Sequence, residues 1–177
     1  MAILRQIAQL GQPVLRRVAE KVADPTEQVV QSLIDDLLAT VAEADGVGIA
    51  APQVFEPLAL FIVASRPNPR YPSAPEMAPA VMINPELLWH SDEQEKGWEG
   101  CLSIPGLRGL VPRYRRIGVR YLNRAGEVRE EEYGDFLARI FQHEFDHVLG
   151  MVFLDRVEDS RDMVTEREYA RIMQSRT

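Results

Sequence analysis

Gln142-His143-Glu144-Phe145-Asp146-His147 sets two of the chain's three histidines four residues apart, with a glutamate directly after the first. On a helix that spacing brings both imidazoles to one face, one turn apart, where a single tetrahedral metal ion can take a nitrogen from each. Glu144 stands beside the first histidine and can reach a water on such an ion without being a ligand itself. The plainer alternative is a solvated helix of ordinary surface residues, and an HExxH match taken alone is an imperfect guide. Histidine is so scarce in this chain that the metal reading is preferred. Phe136 and Ile140 fall on the same side as the histidines, so the segment extends to a helix beginning at Asp135 and stopping at Gly150.

Two histidines leave the site incomplete, because catalytic zinc-type centres use three protein ligands and keep a fourth position open. Cys101, the only cysteine, is the candidate third ligand. A lone cysteine is ordinarily a small buried hydrophobe. Beside an unfinished histidine pair the balance reverses, since a thiolate is a strong ligand for soft to borderline divalent ions. The working site is one cysteine and two histidines. Its surroundings, Trp98-Glu99-Gly100-Cys101-Leu102-Ser103-Ile104-Pro105, are broken by glycine and bounded by proline, which predicts a strand or tight loop.

The remaining chain supplies a scaffold for this helix. A single cysteine excludes an intrachain disulfide, and 177 residues suit one domain, 1–177, with a core of its own. The net charge of -7 argues against a general nucleic-acid surface, and no run approaches the roughly 18 apolar residues of a membrane span. Nothing near Met1 resembles an export signal, so a cytoplasmic location is expected. Asp24-Pro25-Thr26-Glu27 predicts a helix start, continued by Val30, Leu33, Leu37 and Val41 until Asp45-Gly46. Strand character marks 58–64, 80–83, 87–90, 117–122 and 128–133, with a turn at 123–126. Residues 66–79, rich in proline and without periodicity, predict a surface loop, and a last helix is expected over 161–173. Arg108, Arg113, Arg115 and Arg116 predict a solvated basic face, with an anion or peptide carboxylate contact as the alternative. The expected class is α+β: antiparallel or mixed sheets packed around a central metal-binding helix, with one helix before and one after.

Gly46-Val47-Gly48-Ile49-Ala50-Ala51-Pro52-Gln53 follows the first helix. Two closely spaced glycines let backbone approach a ligand, although a helix C-cap and turn would use them equally well. A dinucleotide fingerprint is excluded, because the segment leaves a helix instead of entering one from a strand. The Gln53 amide could donate a hydrogen bond to an oxygen on which negative charge develops.

Together these three segments resemble the signatures of the peptide deformylase family: G-x-G-x-A-A-x-Q as Gly46 to Gln53, E-G-C-x-S as Glu99 to Ser103, and Q-H-E-x-D-H as Gln142 to His147. Order and spacing match, and the likeness runs from about residue 7 to residue 156. Val148 departs from the commoner leucine, and the loop after Arg66 is longer than in the shortest members. The resemblance implies a metal held by Cys101, His143 and His147, with Fe2+ as the physiological ion and Ni2+, Co2+ or Zn2+ able to substitute. It implies removal of the formyl group from the initiator methionine of nascent chains, near the ribosome exit, by a monomer or weak dimer that needs neither membrane nor nucleic acid. Glu144 is then the proton carrier, with Gln53 and the backbone N–H of Leu102 stabilising the oxyanion. Substrate contacts are expected from Gly46, Val47, Gly48, Trp98, Glu99, Arg108, Phe136 and Ile140. Glu99, Gln142 and Asp146 are expected to orient the ligands. The rival readings are a metallopeptidase using Glu158 or Glu166 as third ligand, a structural metal domain, and a degraded homologue.

Overall fold

The computed structural model describes residues 1–175. Eight strands and three helices follow in chain order: α1 Gln28–Glu43, β1 Gly48–Ala50, β2 Leu60–Val63, β3 Ala80–His90, β4 Gln94–Cys101, β5 Ile104–Tyr114, β6 Arg116–Leu122, β7 Val128–Gly134, α2 Asp135–Val148, β8 Met163–Thr165 and α3 Glu166–Gln174. Two antiparallel sheets result, one ordered β1-β2-β3-β6-β7 and one ordered β4-β5-β8. This is the α+β arrangement expected from the sequence.

Strand β2 explains how the larger sheet is buried on both faces. Side chains alternate along a strand, so Leu60 and Ile62 join Leu33, Ile34 and Leu37 of α1 in one apolar cluster. Phe61 and Val63 point the other way, into a cluster with Ala138, Ile140 and Phe141 of α2. Phe61 and Phe141 meet edge to face, with ring centroids 5.3 Å apart, a favoured aromatic geometry. Beyond α2, the smaller sheet contributes Cys101, Ile104 and Val111 to a third cluster with Val152 and Phe153. Helix α2 therefore contacts β1 and β2 on one side and β5 on the other. A helix clamped between two sheets holds its polar residues to fixed positions.

Several boundaries differ from those expected. The first helix starts at Gln28, because Asp24 uses its carboxylate on the N–H and hydroxyl of Thr26 in a preceding turn, 2.8 and 2.7 Å, and Glu27 remains extended. The segments expected at 80–83 and 87–90 form one strand with an irregularity at Asn84, whose backbone is left-handed and whose side chain bonds both N–H and C=O of Val22. The last helix begins at Glu166 instead of 161. Met163–Thr165 is drawn into the small sheet beside β5, and Thr165 then caps α3 by accepting from the Glu168 N–H. The Thr165-x-x-Glu168 spacing was the signal for that start. The predicted solvated arginine face is half wrong: Arg115 and Arg116 are paired near the surface, whereas Arg108 and Arg113 are buried.

Candidate metal centre

His143 and His147 project from α2 and Cys101 from the end of β4, so that their donor atoms all lie within 4.8 Å of one another. Cys101 Sγ is 3.3 Å from His147 Nε2. Ligands at about 2.3 Å for sulfur and about 2.0 Å for nitrogen, at a tetrahedral angle, would be separated by about 3.5 Å. The donor set and its spacing thus fit one divalent ion. The thiol chemistry agrees: burial raises the Cys101 pKa, but the adjacent His147 and His143 overcome this and hold it well below the ordinary value. A thiolate is the form that binds a metal.

Glu99 orients the first histidine. Its carboxylate accepts from His143 Nδ1 at 2.9 Å, which leaves Nε2 free to coordinate. The same carboxylate is gripped by Arg113 through two bonds of 2.9 and 3.0 Å and by Arg139 at 2.9 Å. Burial opposes its ionisation, yet Arg113 and His143 keep its pKa well below the usual carboxylate range. Asp146 acts one step further back, accepting from Arg113 at 2.7 Å and from Arg156 at 2.7 Å. Gln142 ties α2 to β5, donating to Tyr114 C=O at 3.0 Å and accepting from its N–H at 3.1 Å.

Glu144 faces Gly48. It is buried, its Oε2 has no hydrogen-bond partner, and burial pushes its pKa up to about 7 against the lowering effect of His143 and His147. The segment at 46–53 becomes the short strand β1 and a 3-10 turn, Ala51–Val54, not a simple helix cap. In that turn the Gln53 oxygen accepts from the Ala50 N–H at 2.9 Å, while its amide nitrogen lies 3.4 Å from Cys101 Sγ and 3.1 Å from Ser103 Oγ. The Gln53 amide is therefore held at the thiolate by Ser103, the fifth residue of the E-G-C-x-S segment.

A cavity opens beside these groups. Of the expected contacts, Gly46, Val47, Gly48, Trp98, Glu99, Phe136 and Ile140 line it, as does Leu102. Arg108 does not. Its guanidinium packs against Gly100, lies 5.0 Å from the Tyr71 ring centroid and 4.9 Å from that of Tyr169, and bonds Glu166 at 2.8 Å. Arg70, Tyr71 and Arg139 also line the cavity and were not anticipated. Residues 66–79 gave no periodic signal, but Arg139 stands one turn before His143 and could have been read from the helix face.

These features define a metal-dependent hydrolase of the HExxH type, with a cysteine as third ligand. The profile of the Polypeptide deformylase family matches residues 4–163. Peptide deformylase 2 of Nostoc sp. is 56% identical over 174 residues, covering 98% of this chain and 97% of the relative. Peptide deformylase 2 of Shewanella oneidensis is 51% identical over 150 residues, 85% of this chain and 82% of the relative. Among solved structures, the class I type b peptide deformylase from Acinetobacter baumannii bound to Met-Ala-Ser has a TM-score of 0.86 at 45% identity, covering 89% of this chain and 100% of that one. Peptide deformylase from Thermotoga maritima has a TM-score of 0.79 at 36% identity, covering 89% and 99%. The chain belongs to the polypeptide deformylase family and is an enzyme that hydrolyses N-formyl groups.

Proposed function

We propose that the enzyme removes the formyl group from the initiator methionine of newly made polypeptides and releases formate, with Fe2+ as its resident ion. The observation that carries this reading is the convergence of the Cys101, His143 and His147 donor atoms beside a cavity lined by Cys101, His143 and Glu144. One divalent ion held by these three residues supplies Lewis acidity and a lowered water pKa. Cysteine and histidine suit several such ions, so Ni2+, Co2+ and Zn2+ are expected to substitute.

Glu144 accepts a proton from the attacking water and returns it to the leaving amine. The water oxygen first bonds to the formyl carbon to give a tetrahedral oxyanion, and its collapse breaks the C–N bond as the nitrogen takes the proton from Glu144, so the products are formate and a free amino terminus. Gln53 and the Leu102 N–H are the donors assigned to the developing oxyanion. The side chain of the first residue enters among Val47, Trp98, Phe136 and Ile140, and Gly46, Gly48 and Glu99 border the backbone and formyl positions. The Acinetobacter relative holds Met-Ala-Ser, a peptide beginning with a free methionine, which has the chemistry of the product. Strand β1 is an edge of its sheet, and an extended peptide could add alongside it. Arg108 would serve the peptide backbone only once Tyr71 and the Glu166 carboxylate give way.

A metallopeptidase using Glu158 or Glu166 is disfavoured. Glu158 pairs with Lys96 and Glu166 with Arg108, away from the cysteine and histidines. The setting that fits the substrate is the cytoplasm near the ribosome exit, with the enzyme acting as a monomer or weak dimer, independently of membrane or nucleic acid. None of the described helices is long and apolar enough to cross a membrane.

The test is to incubate anaerobically prepared, iron-loaded protein with formyl-methionyl peptides and to measure formate against free amine. Equal amounts of both are expected, with little release from acetyl-methionyl peptides, whose extra methyl meets the crowded space between Gly48 and Glu144. Metal-loaded protein that yields no formate with iron, nickel or cobalt would overturn the reading.

A further inference from the structure

Arg139 is a wall between two spaces. It and Phe136 border both the cavity of the metal centre and a second cavity, which is lined by Glu95, Arg115 and Asp135. Its guanidinium is pinned there: Nη1 donates to Val111 C=O at 2.8 Å and to Glu99 at 2.9 Å, and Nη2 donates to Glu95 C=O at 2.7 Å. Room for it comes from Gly97, where a Cβ would lie 2.7 Å from Arg139 Cζ. The arginine and the glycine are therefore matched in shape.

A cation held in this way is poorly suited to capture an anion, because it is paired with Glu99 and protein acceptors take both N–H donors of Nη1 and one of Nη2. What it offers a ligand is bulk. We infer that Arg139, seated in the notch at Gly97, is a specificity-determining residue that closes the side-chain pocket toward the second cavity and limits the length of unbranched side chain the enzyme accepts. This inference rests on the deformylase reading. A side chain about as long as methionine stops at the guanidinium, and a longer one would need the space beyond it.

The experiment uses formyl peptides whose first residue is norleucine or a homologue lengthened by one, two or three methylenes, with wild type, Arg139→Ala and Arg139→Gln. In wild type, kcat/KM should fall steeply as the chain lengthens. In Arg139→Ala the ratio of the longest homologue to norleucine should rise about tenfold or more, the scale at which pockets discriminate methylenes. Arg139→Gln retains an amide donor near Glu99 while shortening the wall, so it should shift the ratio in the same direction by less, and it keeps the test open if the alanine variant fails to fold. A purely structural role through Glu99 and His143 would depress every substrate alike and leave the ratio unmoved. That result, or a flat length profile in wild type, would overturn the inference. Calorimetric binding of the same peptides without the formyl group reads the length limit independently of turnover, so absence of formate release would count against the deformylase reading alone.

Discussion

Gly48 and Glu144 approach so closely that a Cβ on the glycine would lie 2.4 Å from the Glu144 Oε1. The contact joins the edge strand β1 to the metal-binding helix and fixes where the carboxylate stands. Gly48→Ala should therefore displace Glu144 while leaving Cys101, His143 and His147 in place. The expected outcome is stoichiometric metal with kcat reduced by roughly 10²-fold or more, the scale on which a misplaced catalytic group costs rate. Unchanged kcat, measured beside metal content by atomic absorption, would show that the close approach is incidental.

Glu144→Gln separates proton transfer from metal binding more directly. The amide keeps the size of the side chain but cannot take a proton, and general acid–base catalysis is worth about 10² to 10⁴-fold. Turnover should fall by that factor with the metal retained. If the metal is lost together with activity, Glu144 is a ligand or a folding element instead.

The residues that ligate were legible because their chemistry demands rare residue types at fixed intervals: His143 and His147 one helical turn apart, and the single Cys101 in a glycine setting. The amphipathic stripe of α1 and the β2 strand were legible for a similar reason, since burial on one face or two imposes a period. What escaped was set by partners distant in sequence. Arg113 and Arg108 look like surface charges until Glu99, Asp146 and Glu166 are brought beside them. Likewise β4 and β5 carry charged and glycine residues that left 98–105 open between strand and tight loop and the flanking residues without a strand period, and their long hairpin, from Gln94 paired with Tyr114 to Cys101 paired with Ile104, is fixed by cross-strand bonding. Tyr71 reaches the cavity from a loop with no periodic pattern to mark it.

Glu99 carries a prediction about metal affinity. It accepts from His143 while balancing the buried Arg113 and the nearly buried Arg139. Glu99→Gln should loosen the His143 ring and leave those cations under-compensated. Metal affinity should fall by about 10- to 100-fold, as for other groups that support a ligand from behind, and thermal stability should drop as well. A chelator competition titration gives the affinity, and a dissociation constant equal to wild type would remove Glu99 from the ligand-orienting role.

Asp36 makes the acid stability of the fold testable away from the metal. Burial on α1 raises the pKa of its carboxyl, but bonds from the Ile3 N–H at 2.8 Å and the Arg5 guanidinium at 2.8 Å outweigh this, so the folded value lies below the ordinary 3.8. A depressed carboxylate contributes stability that is fully present above the unfolded pKa and is lost as pH falls through the folded one. Asp36→Asn should therefore destabilise the protein by about 1.5 to 3 kcal/mol at pH 7, the range for a hydrogen bond to a charged group. Urea denaturation of both proteins in chelator should show the same gap at pH 5 and a narrowing gap below pH 4, as wild-type Asp36 takes up its proton. A gap that shrinks between pH 7 and pH 5 would assign the effect to a histidine or another group, and one that persists undiminished to the most acidic pH at which both proteins fold would mean that the amide is disfavoured by shape alone.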